Sequence, residues 1–293
     1  MNPLTGESWK ERSRQILDLA REYEYKETEN GIRLNAYIYT PRKETRDLRP
    51  AMIFFADSLW DNMSVTQFGP QCLHFAERGV VTILAEYRTR FAHQATPVDA
   101  MSDARSAIRW IRYNAEALGV DPARIVAAGG SAGAHMVLSA AMIPGVADDR
   151  NDPDLSCVPD ALVLFTPIVD LAVKGASMVG RFPSPEQAQI CNPSRYIGKH
   201  LPPTIIFQGT GDRVVPYEPV VKFVKAAKKK NNTVHLCLFT GLSHSFYNFN
   251  VNPDGFDAVM AEIDRFLVGL NFLAPNEQPE EDLGDKLTGG WGY

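Results

Sequence analysis

The stretch Ile125-Val126-Ala127-Ala128-Gly129-Gly130-Ser131-Ala132-Gly133-Ala134-His135 constrains the fold of this chain more than any other. An apolar run of strand character stops at a serine with a glycine two residues to either side, and helix-forming residues resume at once. A G-x-S-x-G at such a junction predicts a sharp strand-to-helix turn, in which strained backbone angles lift the serine hydroxyl out of the sheet edge. Gly129 and Gly133 stand where a side chain would collide with the neighbouring strand or hold the helix away from it.

A serine hydroxyl is a weak nucleophile at neutral pH, so chemistry at Ser131 requires a histidine base and an acid that fixes the tautomer of that base. Of the six histidines, His244 is best placed, in a turn (Gly241-Leu242-Ser243-His244-Ser245-Phe246) that follows the strand-like run 233–239. The acid is Asp212, in the Gly209-Thr210-Gly211-Asp212 turn that ends the buried run 204–208. Asp170, which closes the apolar run 161–169, is a rival acid. Each signal has a bland counterpart: an aspartate in such a turn caps a following helix, and a histidine there makes a turn hydrogen bond. The weight lies in all three residues following strands, where α/β sheets build their sites.

Strand and helix alternate along the chain, an α/β pattern that gives a mostly parallel sheet of about eight strands with helices on both faces. The expected elements begin with a lead-in helix over 8–22 and an antiparallel pair near 23–28 and 33–39. Strands at 51–55, 81–87, 125–128, 161–166, 204–208 and 233–239 follow, with helices at 66–78, 97–118, 217–229 and 255–270. Residues 1–30 read as a helical lead-in and 31–272 as one α/β domain. Within it the irregular, proline-bearing stretch 173–200 reads as a short lid, because loops beyond strand ends are where specificity is built. The tail 273–293, rich in glycine, proline and acids, is expected to be flexible.

With 45% hydrophobic and 22% charged residues among 293, the composition is that of a soluble globular protein with one sizeable core. A net charge of −5 argues against a nucleic-acid face, and Lys228-Lys229-Lys230 reads as the polar end of a helix. Nowhere do about eighteen apolar residues run together, and the first ten residues lack a basic region followed by an apolar core. The expectation is a cytoplasmic protein that spans no membrane. Cys72, Cys157, Cys191 and Cys237 lack metal-ligand spacing and read as reduced structural thiols; Cys157 and Cys191 would pair only in an exported protein.

The stretches 129–135, 209–216 and 241–246, with Ala85-Glu86-Tyr87-Arg88 before a helix, resemble the esterase/lipase branch of the α/β-hydrolase superfamily. Within it the similarity is to the hormone-sensitive-lipase-like carboxylesterases and the compact acetyl or feruloyl esterases, over about residues 30–272. The resemblance implies the α/β-hydrolase fold and a Ser131–His244–Asp212 triad whose chain order, nucleophile, acid, base, is the family's own. It implies hydrolysis of a small-molecule or saccharide ester through an acyl-enzyme, with a short acyl group on a carbohydrate or aryl alcohol and with no metal or organic cofactor. A homodimer stays open. A peptidase or amidase on the same fold, and a binding protein without turnover, are the alternatives.

One departure from the family is marked. There, the strand matching 51–55 is followed by a histidine and glycines whose main-chain N–H groups form half of the oxyanion hole; here the sequence is Ala56-Asp57-Ser58-Leu59-Trp60. One missing donor costs roughly 10²–10³ in turnover. Three arrangements are open: an N–H of Ser58 or Leu59 donates, the Ser58 hydroxyl donates, or the hole is lost. The N–H of Ala132, next to the nucleophile, is the second donor. The Asp57 carboxylate would oppose developing negative charge and is expected to point away or to orient a polar substrate. Trp60 and Phe246 rank first among the aromatic residues expected to line the pocket, His135 is expected to pack, and Arg88 to pair with Asp99 and Asp103.

Overall fold

Strands that are apolar at every position need cover on both faces. In the computed structural model, which describes residues 9–43, 45–145 and 155–275, β3 (Arg49–Phe55), β4 (Val81–Ala85), β6 (Ala161–Phe165) and β7 (Thr204–Gly209) are buried almost throughout. They share an eight-stranded sheet with β1 (Arg21–Glu27), β2 (Arg33–Tyr39), β5 (Val120–Gly130) and β8 (Val234–Phe239), in the order β1-β2-β4-β3-β5-β6-β7-β8. β1 and β2 pair antiparallel, as do β2 and β4, and every later pairing is parallel.

Alternate residues along each strand feed two cores. Ile53, Ile83, Ala127, Leu164 and Ile206 join the core that holds α4 (Pro97–Tyr113), α6 (Ala132–Met142) and α8 (Tyr217–Lys229). Phe54, Leu84, Ala128, Phe165 and Phe207 join the other, with α2 (Gly69–Glu77) and α9 (Pro253–Gly269). The chain leaves β3 toward β4 on one side and leaves β5 toward β6 on the other. The crevice beyond the carboxyl ends of β3 and β5 is therefore the topological switch point, where such sheets bind ligands. Ser131 and the loop 56–61 both emerge there.

Several boundaries differ from the sequence expectation for local reasons. The lead-in helix stops at Asp18, because the chain enters β1 at Arg21. The long helix expected over 97–118 breaks at Asn114, whose main-chain N–H and side-chain amide both return to the Trp110 carbonyl; a short α5 (Ala115–Leu118) follows and ends at left-handed Gly119. The stretch 173–200 is more regular than expected. It holds α7 (Pro185–Ile190), started by the Ser184 hydroxyl accepting from the Gln187 N–H, and single 3₁₀ turns at Val179–Arg181 and Pro193–Arg195. The expected tail lies, from residue 276 on, outside the described residues. Among the described residues no helix is long and apolar enough to cross a membrane.

A buried ion cluster ties the antiparallel end of the sheet to α4. Asp103, fully buried, lies 2.7 Å from Lys26 Nζ on β1 and 2.7 Å from Arg88 Nη2 just after β4, and it also accepts from the Arg88 N–H. Asp99, half-buried at the outer side, meets Arg88 at 3.4 Å. This is the structural pairing expected of Arg88. Removing one member of a buried pair leaves uncompensated charge at about 3–5 kcal/mol, whereas a half-exposed partner is worth about 1 kcal/mol or less. Asp103→Ala is therefore expected to lose about 3–5 kcal/mol in urea unfolding and Asp99→Ala about 1 kcal/mol; equal losses in the two variants would contradict this ranking.

Candidate active site

Ser131 sits between β5 and α6 with φ 49° and ψ −109°, backbone angles that a side chain strongly disfavours. Two main-chain hydrogen bonds hold it there: its N–H donates to Phe165 O on β6 at 2.9 Å, and its carbonyl accepts from the His135 N–H at 3.0 Å. The glycines make room for the turn. A Cβ at Gly133 would overlap the Phe55 carbonyl oxygen at the end of β3, and one at Gly129 would come within 2.5 Å of the Gly133 backbone. The Ser131 hydroxyl oxygen is buried and has no hydrogen-bond partner among the described residues. The N–H of Ala132 opens α6, in the first turn, where N–H groups have no intrahelical acceptor.

Asp212 and His244 are joined. His244 Nδ1 lies 2.7 Å from Asp212 Oδ2, which fixes the proton on Nδ1 and leaves the buried Nε2 on the opposite edge of the ring. Asp212 is held from below as well: its Oδ1 accepts from the N–H groups of Val214 at 2.8 Å and Val215 at 2.9 Å, and its Oδ2 accepts from the Gln208 side chain at 3.2 Å. Burial pushes the Asp212 carboxyl up, but the His244 contact and the two N–H donors outweigh it and hold it below its usual range. Asp170 makes no such contact. It caps the Ala172 N–H and accepts from Asn192 instead.

The loop after β3 departs from the expectation at one residue. Asp57 does not point away: its Oδ2 lies 3.2 Å from His244 Nε2, the atom that would serve Ser131. Burial lowers the His244 pKa, but Asp212 and Asp57 together raise it from 6.5 to about 9. No hydrogen bond joins Ser131 to His244. Leu59 (φ 50°) and Trp60 (φ 60°) adopt left-handed angles without glycine, at roughly 1–2 kcal/mol each. Side chains hold that shape. The Tyr87 hydroxyl lies 2.6 Å from both Ala56 O and Ser58 Oγ, Arg90 N donates to Trp60 O at 2.9 Å, and Arg181 pairs with Asp61.

This loop narrows the three arrangements open to it. The Ser58 hydroxyl is engaged by Tyr87 and by the Trp60 N–H at 2.8 Å, and the Asp57 N–H donates to Gln67 Oε1 at 2.6 Å. The N–H groups of Ser58 and Leu59 have no partner among the described residues.

Of the expected pocket residues, Trp60 stands beside the elbow helix, its ring edge-on to His135 (centroids 5.1 Å apart) and Phe182 (5.7 Å). His135 is buried, its Nε2 lies 2.8 Å from Cys191 O, and burial pushes its pKa down to about 4, so it stays neutral packing material. Phe246 departs from expectation. The turn after His244 folds back into the α9-side core, where its ring packs 4.6 Å from Phe239. The lysines 228–230 are exposed at the end of α8, and all four cysteines are free and buried. Among the described residues no three His, Cys, Asp or Glu side chains converge to hold a metal.

Gln67 and Gln208 carry no signal in the sequence that marks them as site groups, and Tyr247, an aromatic candidate for the pocket wall, is instead buried in the α9-side core. Gln67 bridges the Asp57 N–H to Asn248 Oδ1 at 3.2 Å, and so couples the β3 loop to the His244 loop across 181 residues. The buried Tyr247 hydroxyl sits where a Cβ at Gly130 would be. No local pattern marks such residues, since their role depends on strands distant in sequence.

A family model, BD-FAE, matches residues 37–226. Among solved structures, Thermogutta terrifontis esterase 2 in its apo form is 37% identical, with a TM-score of 0.84 over 89% of this chain and 98% of that one. Endo-1,4-beta-xylanase B of Butyrivibrio fibrisolvens is 26% identical over 206 residues, and isoprenylcysteine alpha-carbonyl methylesterase ICME of Arabidopsis thaliana 25% over 224; the matches take in 67% and 68% of this chain. They span only 30% and 51% of those two proteins' lengths. With the elbow, the strand order and these matches in hand, the chain belongs to the BD-FAE family, in the esterase/lipase branch of the α/β-hydrolases.

Proposed function

We propose that this protein hydrolyses carboxylic esters through an acyl-enzyme formed on Ser131. The observation that carries the reading is the Asp212–His244 hydrogen bond of 2.7 Å in a crevice shared with a serine in strained elbow geometry. Ser131 Oγ attacks the ester carbonyl while His244 Nε2 takes its proton, and Asp212 holds Nδ1–H and stabilises the imidazolium. The oxyanion rests on the Ala132 N–H and on an N–H of Ser58 or Leu59. His244 then protonates the departing alcohol, and water, activated by the same imidazole, releases the acid. Thermogutta terrifontis esterase 2, which forms a phosphorylated adduct with paraoxon, supports a serine nucleophile at this site.

A short acyl group fits best. The packed rings of Trp60, His135 and Phe182 stand beside the elbow, and the Thermogutta esterase has been captured with propionate and with butyrate. The match to a segment of a xylanase directs the alcohol toward a carbohydrate or aryl hydroxyl. Four buried free thiols accord with a reducing, cytoplasmic setting.

Three outcomes are expected. Ser131→Ala should lower kcat on p-nitrophenyl acetate by at least about 10³-fold, as loss of a triad serine does; retained turnover would overturn the reading. Asp212→Asn should cost about 10⁴-fold and Asp170→Asn less than about threefold, and the reverse order would make Asp170 the acid. Across acetyl, butyryl and octanoyl esters kcat/KM should fall at octanoyl, whereas a rising series would point to a long-chain substrate.

A further inference from the structure

A serine hydrolase works when its base accepts the serine proton, yet here the accepting atom already faces a carboxylate. Asp57 Oδ2 stands 3.2 Å from His244 Nε2, an ion-pair contact outside hydrogen-bond geometry, and the Ser131 hydroxyl is likewise buried without a hydrogen-bond partner. The placement of Asp57 is built rather than incidental. Its N–H is fixed at 2.6 Å by Gln67, Gln67 is tied to Asn248 on the His244 loop, and the Ala56 carbonyl just before it is held by the Tyr87 hydroxyl at 2.6 Å. We propose that Asp57 is a positioning residue that competes with Ser131 for His244 Nε2, so that the substrate-free enzyme holds its base in an ion pair that must break before turnover.

This inference rests on the triad reading. The charges acting on His244 come from two loops, Asp57 after β3 and Asp212 after β7. The polar groups packed against the two carboxylates from other elements are uncharged: Gln208 on β7 bonds Asp212, Gln67 takes the Asp57 N–H, and Tyr247, with Thr166 and Gln67 around its hydroxyl, lies near both. Among the described residues no cation acts on His244, and the two carboxylates together raise the imidazole to about 9. A base must be neutral, so in the resting enzyme kcat/KM is expected to climb with pH until about that value. Removing the Asp57 charge takes away one of the two carboxylates that raise the imidazole and moves this limb to lower pH.

The test is a ¹⁵N-histidine NMR titration of wild type and Asp57→Asn, repeated in a Ser131→Ala background that does not turn over. His244 of the wild type should remain protonated at pH 7.5, and Asp57→Asn should lower its midpoint by more than one pH unit. With Ser131 present, the kcat/KM limb should follow, giving about a tenfold gain at pH 7, since one unit of pKa is tenfold in neutral base. A wild-type His244 that is neutral at pH 7.5, or a midpoint unmoved by the substitution, would overturn the proposal. If Asp57→Asn does not fold, Asp57→Gly supplies a second variant in which the same shift of the His244 midpoint is expected. Because the NMR readout needs no catalysis, a protein inactive toward esters would count against the triad reading alone.

Discussion

The close approach of α6 to the end of β3 is the constraint on which the rest of the site depends. At Gly133 the helix backbone lies against the Phe55 and Ala56 carbonyls so tightly that no side chain fits between them. That contact sets where α6 begins, and with it the left-handed backbone of Ser131, pinned by Phe165 O on the neighbouring strand. The strain, of order 1–3 kcal/mol, is borne by the buried centre of the sheet, where two cores hold β5 from both faces. The same contact brings the loop after β3 to the serine.

Similar logic joins acid to base. Gly209 and Gly211 let the Asp212 turn lie directly on the Leu242 and Gly241 carbonyls of the histidine loop. The carboxylate is then fixed by two N–H groups and Gln208, which keeps it ionised and the imidazole in one tautomer. Gln67 closes the ring of loops by bonding to both the β3 loop and Asn248. With no glycine between residues 56 and 60, the loop after β3 holds Leu59 and Trp60 in left-handed geometry with Tyr87, Arg90, and the Asp61–Arg181 pair. Side-chain tethers thus take the place of backbone freedom.

Much of this was legible in the sequence, because the informative signals are local. The fold class and strand succession follow from apolar runs, and the elbow and the Asp212 and His244 turns from glycine spacing. What escaped was set by contacts between segments far apart in the chain. The direction of the Asp57 side chain depends on Gln67 and His244, and the placement of Phe246 on the turn that carries it back to Phe239. The helix break at Asn114 reflects one side-chain bond to Trp110, and α7 depends on a Ser184 cap within a stretch whose prolines suggested irregularity.

In the proposed mechanism Ser131 is the nucleophile, and the oxyanion that forms on the substrate carbonyl is received by the main chain of a loop without glycine. A crystal structure of the protein after reaction with paraoxon tests it most directly. The phosphoryl group is expected on Ser131 Oγ, with one of its oxygens about 2.7–3.1 Å from the N–H of Ala132 and from that of Ser58 or Leu59, and with Asp57 withdrawn from His244. A label on another residue, or a phosphoryl oxygen that meets no donor from the β3 loop, would contradict it.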